Sequence, residues 1–240
     1  MNASEVLSRL RTMASLRNRD GMARYGINIV NAWGIPVSRL RQLAREIGRN
    51  HRLAADLWNS GVHEARILAA LVDEPEHLTM EQMEVWVRQF DSWDVCDVVC
   101  NELFRRHPDV WETSRRWSAE SGEFVRRAGF VLMAVLAVHD HDSADRRFET
   151  FFPCILAGAS DDRPLVAKAV NWALRQIGKR SIGLNRRCIV LAKKVRALGT
   201  PGARWIASDA LRELASPKVM ARFTDRRRAS RVRHIGRWNP

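Results

Sequence analysis

The chain has 240 residues, 46% hydrophobic and 28% charged. That balance excludes a disordered or collagen-like chain and leaves room for one large domain or two small ones. Lys and Arg outnumber Asp and Glu by 40 to 27, a formal charge of +13 at pH 7, which points to a polyanionic partner. Part of the excess sits at the end, where residues 218–240 hold eight cations against Asp225, yet the rest of the chain keeps +6.

Helical periodicity runs through the chain, and no alternating pattern reads as a strand. The spacing predicts helices near 3–16, 37–49, 51–59, 62–72, 79–90, 92–106, 108–118, 121–138, 144–158, 162–179, 182–197 and 202–214. Breaks fall at Gly34-Ile35-Pro36, Asp73-Glu74-Pro75, His107-Pro108, 161–164 and 199–202. Ser38, Thr79, Ser92 and Ser121 stand where N-caps are needed. From about residue 51 the helices pair with a period in the range of HEAT-like repeats. The expected fold is therefore all-α, a curved α-solenoid of HEAT-like helical repeats over 1–221. Residues 222–240 form an Arg-rich tail, expected to be disordered and containing Trp238.

The four cysteines, at 96, 100, 154 and 188, make no CxxC pair and no zinc spacing with His. Free thiols, no metal and no cofactor are the expectation. The N-terminus lacks a signal-peptide pattern, and the longest apolar run, 128–138, is too short to span a bilayer. A cytoplasmic monomer without a membrane partner follows as the default.

Three segments carry candidate chemistry. In Ser92-Trp-Asp-Val-Cys-Asp97, helical spacing stacks Trp93, Asp97 and Asn101 on one face, with Val95, Val99, Cys100 and Leu103 on the buried side. A partly buried Trp beside a solvated Asp is the competing reading. In the helix from Leu165, Lys168, Trp172, Arg175 and Lys179 form one stripe opposite Leu165, Ala169, Val170, Ala173, Leu174 and Ile177. Cations interrupted by an indole suit a sugar-phosphate backbone, although a solvated charged face gives the same pattern. Arg127, in an otherwise apolar helix, is placed at an edge where its fork suits a phosphate, or else pairs with Glu123 one turn earlier.

Together these segments resemble the AlkD-type DNA alkylation repair family of helical-repeat DNA glycosylases. The resemblance runs from about Tyr25 to about residue 215. It takes in Trp33-Gly-Ile-Pro-Val-Ser-Arg-Leu-Arg-Gln-Leu-Ala, Leu57-Trp-Asn-Ser and His63-Glu-Ala-Arg66. It continues through Ser92-Trp-Asp-Val-Cys-Asp97, Arg126-Arg-Ala128 and Lys168-Ala-Val-Asn-Trp-Ala-Leu-Arg175. It implies a catalytic set of Trp93, Asp97 and Trp172. Arg127 and Tyr25 match further family positions, and Lys168, Arg175 and Lys179 are the candidate phosphate contacts. Two features depart from the family: Ser92, where some members carry an aromatic residue, and the Arg-rich tail. The implied partner is double-stranded DNA carrying alkylated bases, with the base remaining stacked while the protein grips sugar and backbone.

A purine alkylated at N3 or N7 is cationic and departs as a neutral base, so no general acid is needed. One carboxylate, Asp97, is then enough to stabilise positive charge developing on the deoxyribose, with Trp93 and Trp172 adding cation–π attraction. A non-catalytic HEAT-like DNA-binding protein that recognises damaged or structured DNA is the rival reading. A protein-interaction scaffold and a metal-dependent hydrolase at His139-Asp-His-Asp142 are weaker rivals; that run reads more simply as a polar turn.

Overall fold

The computed structural model describes residues 1–223, and among them there is no strand. Two compact units divide the chain, Met1–Leu132 and the part from Met133 onward. The Arg-rich segment expected from 222 lies outside the described residues from 224 on, and Trp238 with it.

The first unit contains α1 (Ala3–Thr12), α2 (Leu16–Ala23), α3 (Val37–Ile47), α4 (His51–Asn59), α5 (His63–Val72), α6 (Met80–Arg88), α7 (Trp93–Glu102) and α8 (Val110–Ser118), then the start of α9 (Glu123–His139). Here α5 packs on its neighbour α4 and on α3 and α7, next but one in the chain. The core is centred on aromatic rings. Trp58 and Trp86 stack face to face with centroids 4.0 Å apart, and Phe90, Phe104 and Trp117 extend the cluster. Rings buried this way contribute through area and through their preferred contact geometry.

The second unit continues α9 and adds α10 (Asp145–Glu149), α11 (Phe152–Gly158), α12 (Pro164–Gly178), α13 (Ile182–Ala197) and α14 (Pro201–Leu214), followed by helix over 217–223. Again α13 packs on α12 and α14, while α12 packs on α14. Contacts with the next helix and the next but one are what stacked helix pairs produce. The all-α, HEAT-like class read from the sequence is the class observed.

Three local features differ from expectation. Nothing in the hydrophobic pattern announces α2, because it buries no residue; it begins at Ser15, whose hydroxyl accepts the Asn18 N–H at 3.3 Å. The helix expected over 144–158 is two helices, α10 and α11. Pro153 lies in the first turn of α11, where its missing N–H costs nothing. Ser38 is not a cap either: α3 begins one residue earlier, after Pro36. Thr79 caps α6 as read, accepting from Gln82 N–H at 3.2 Å.

Candidate functional site

Helix α7 organises the site in the first unit. Val95, Val99, Cys100 and Leu103 are buried as the spacing predicted, and Cys96 joins them. That burial turns Trp93 and Asp97, one turn apart, toward the opposite side, where both are half-buried. The Trp93 indole N–H donates to the Tyr25 carbonyl at 3.0 Å. Tyr25 itself is 76% exposed, so it meets the site through its backbone and presents its ring to solvent.

The Asp97 carboxylate is held by Arg127. Nε and Nη2 donate to Oδ1 at 3.1 and 2.8 Å, and Nη2 also donates to Oδ2 at 2.9 Å. Arg127 is only 4% exposed. The open edge expected for it is therefore not where the side chain lies: its fork faces a carboxylate of its own chain. Gly129 allows α9 to press against α8, since a Cβ there would lie 2.4 Å from Ser118 N. Two residues apart on a helix is about 200° of rotation, so the face that fits α8 leaves Arg127 aimed at α7. Burial pushes the Asp97 carboxyl up to about 6, with Arg127 opposing the shift and the nearby Asp94 charge adding to it. Such a group is ionised at neutral pH yet basic enough to accept a proton from water. Burial also pushes the Cys100 thiol well above its ordinary value, so it is no nucleophile.

Sequence reasoning did not single out what braces this arrangement. Glu64 is fully buried and accepts the N–H groups of Trp33, Gly34 and Ile35 at 2.6 to 3.1 Å. Gly34 has φ +79°, and a Cβ there would sit 2.2 Å from the Ser15 carbonyl oxygen. The Trp33-Gly-Ile and His63-Glu-Ala-Arg motifs are thus two halves of one structural joint. Next to Glu64, the His63 N–H donates to the Asn31 carbonyl at 3.0 Å, and its ring Nε2 lies 2.9 Å from Asp94 Oδ2. Ser92 is buried and its hydroxyl donates to Asp94 Oδ1 at 2.7 Å. This departure from the family pattern therefore points inward. A signal existed for Glu64: it stands one turn before Leu68 on the apolar face of α5, where a carboxylate needs a dedicated set of donors.

The remaining candidates belong to the second unit. Lys168 is exposed and Trp172 half-buried on α12. Arg175 donates to Asp209 at 2.8 Å and lies 3.0 Å from Glu213, and Lys179 donates to Glu213 at 2.7 Å. The basic stripe is thus largely answered by acidic side chains of α14. In the 139–142 run, Asp140 accepts from the Asp142 and Ser143 N–H groups and from the Ser143 hydroxyl, which is turn capping. Among the described residues no cluster of His, Cys, Asp or Glu is arranged to hold a metal ion. No helix there is long and apolar enough to cross a membrane.

The all-α fold of paired helices has a known structural counterpart. One solved structure, described as "a new family of proteins related to the HEAT-like repeat DNA glycosylases with affinity for branched DNA structures", is similar with a TM-score of 0.70. The two share 18% identity over 81% of this chain and 83% of that one, a likeness of fold. Residues 6–219 match the DNA alkylation repair enzyme family, and the chain belongs to it. No curated protein matches the chain.

Proposed function

We propose that this protein is a monofunctional DNA glycosylase that hydrolyses the N-glycosidic bond of cationic alkylated purines such as 3-methyladenine and 7-methylguanine. The observation that carries the reading is the Asp97 carboxylate, half-buried beside Trp93, gripped by Arg127 and pushed up to about 6. A carboxylate answered by one fixed cation is poised for a second, transient one. As the C1′–N bond breaks, its electron pair leaves with the base and neutralises it. The positive charge left on the sugar meets Asp97 and the face of Trp93. Water then adds to C1′ and passes its proton to Asp97, which returns it to solvent. Arg127 keeps the carboxylate ionised and aimed while this happens.

The test is release of free 7-methylguanine or 3-methyladenine from a duplex carrying one lesion, at saturating protein, with protein-free decay subtracted. Release is expected near neutral pH. It should fall about tenfold per pH unit below about 6, where Asp97 takes up a proton. No release above the protein-free rate between about pH 6 and 9, with DNA affinity intact, favours the second reading. That reading is non-catalytic binding to structured DNA, which accords with the branched-DNA affinity described for the similar structure.

DNA contact in the second unit is assigned chiefly to Lys168. Lys168→Ala should lower the slope of log K against log salt by about one. Arg175→Ala and Lys179→Ala should lower it less, because Asp209 and Glu213 already balance those charges. Fluorescence anisotropy across a salt series measures this. Equal losses from all three would mean that the acidic partners let go when DNA binds.

A further inference from the structure

Helix α7 carries two carboxylates three residues apart, Asp94 and Asp97. Side chains at that spacing stand on the same side of a helix, with Cβ atoms about 5–6 Å apart, so like charges there oppose each other. Each carboxylate is met by a basic side chain from a different helix. Arg127 of α9 grips Asp97, and His63 of α5 meets Asp94 at 2.9 Å. The His63 side chain is 4% exposed and that of Asp94 15%, so solvent screens this pair little. The other charges facing His63 are Glu64 on its own helix and Asp91 ahead of α7; Arg66 lies 3.7 Å from Asp91. Asp97 is faced by Arg127 and Asp94, and by the protonated thiol of Cys100.

The base-release chemistry leaves His63 without a part. We propose that His63 is a positioning residue that sets, through Asp94, both the seat and the charge of the Asp97 carboxylate. This rests on the reading of Asp97 as the catalytic group. The seat follows from the joint: Glu64 fixes the start of α5 to residues 33–35, and the neighbouring imidazole fixes the first turn of α7. The charge follows from electrostatics. A protonated His63 offsets part of the Asp94 charge, so Asp97 ionises against Arg127 with less opposition from its neighbour. A neutral His63 leaves the Asp94 charge uncompensated beside Asp97, and ionising Asp97 becomes harder. Burial works against the charged imidazole, but its hydrogen bond and attraction to Asp94 outweigh this and hold His63 above its ordinary value. The partnership with Asp94 therefore favours the protonated imidazole.

The test follows the Asp97 carboxyl carbon by NMR through a pH titration of the full chain labelled at the Asp side chains. His63→Gln keeps a donor for Asp94 and removes the positive charge, so the Asp97 midpoint should rise by about half a pH unit or more. Asp94→Asn removes the opposing negative charge, so the midpoint should fall by a similar amount. Loosening of the structure alone would move both variants toward the solvent value, in one direction. Two shifts of the same sign, or neither exceeding about 0.2 pH unit, overturns the proposal. If His63→Gln fails to fold, His63→Asn, which also removes the positive charge, takes its place, and a midpoint that does not rise overturns the proposal. The pH profile of base release should track the same midpoints. Opposite shifts in a protein that releases no base would keep the electrostatic coupling and remove the glycosylase reading.

Discussion

Asp97→Asn is expected to lower single-turnover base release by about a thousand-fold on lesions with firm glycosidic bonds, with DNA affinity unchanged or slightly higher. A unit charge pair at 4 Å contributes about 4 kcal/mol at an effective dielectric of 20, close to three powers of ten in rate when gained only in the transition state. Asparagine keeps the outline of the side chain and one oxygen for the Arg127 fork, so Trp93 stays in its place. DNA phosphates meet one negative charge fewer, which is why affinity holds or improves. The loss should shrink for the most labile cationic purines, which depart with little help. Rates equal to wild type on the same lesion at saturating protein would remove Asp97 from the chemistry.

The second large effect is expected far from any reacting atom. Glu64→Ala should lower the melting temperature by roughly 10–20 °C, read by circular dichroism at 222 nm. The carboxylate accepts three consecutive backbone N–H groups, and Gly34 and Ile35 are buried. Each donor left without a partner costs about 1–3 kcal/mol, so the sum approaches the whole stability of an ordinary domain. For a chain of this size 1 kcal/mol is worth about 2–4 °C. Glu64→Gln should fall between, because its amide oxygen serves some of the donors while its NH2 group faces the others. A melting point for the alanine variant within about 3 °C of wild type would mean that water reaches the joint and replaces the carboxylate.

The features legible in the sequence were those written in one helix at a time. The placement of Trp93 and Asp97 opposite Val95, Val99 and Leu103 needs only 3.6 residues per turn, and so does the separation of Lys168 and Trp172 from Ala169, Ala173 and Leu174. Relations between helices were not legible. That Arg127 would turn inward to Asp97 depends on how closely α9 approaches α8 at Gly129, which no periodicity encodes. The neutralisation of Arg175 and Lys179 depends on the register of α14, and α2 escaped because it has no buried face to mark it. The His63-Glu-Ala-Arg66 motif was visible as a resemblance, but its physical meaning needed Asn31, Trp33 and Asp94 in place beside it.

The pairing of α12 with α14 restricts how this part of the chain can evolve. Asn171, Arg175 and Lys179 meet partners 35, 34 and 34 positions later, at Ile206, Asp209 and Glu213. Between them Asn185 of α13 donates to the carbonyls of both Gly178 and Leu214, near the ends of the two flanking helices. One residue inserted within α13 would turn everything after it by about 100° about that helix and advance it by 1.5 Å. The partners would then be out of phase together rather than one at a time. Within α13 the exposed positions are therefore freer to change than the length, and the spacing of these polar partners works as a reading frame for the fold.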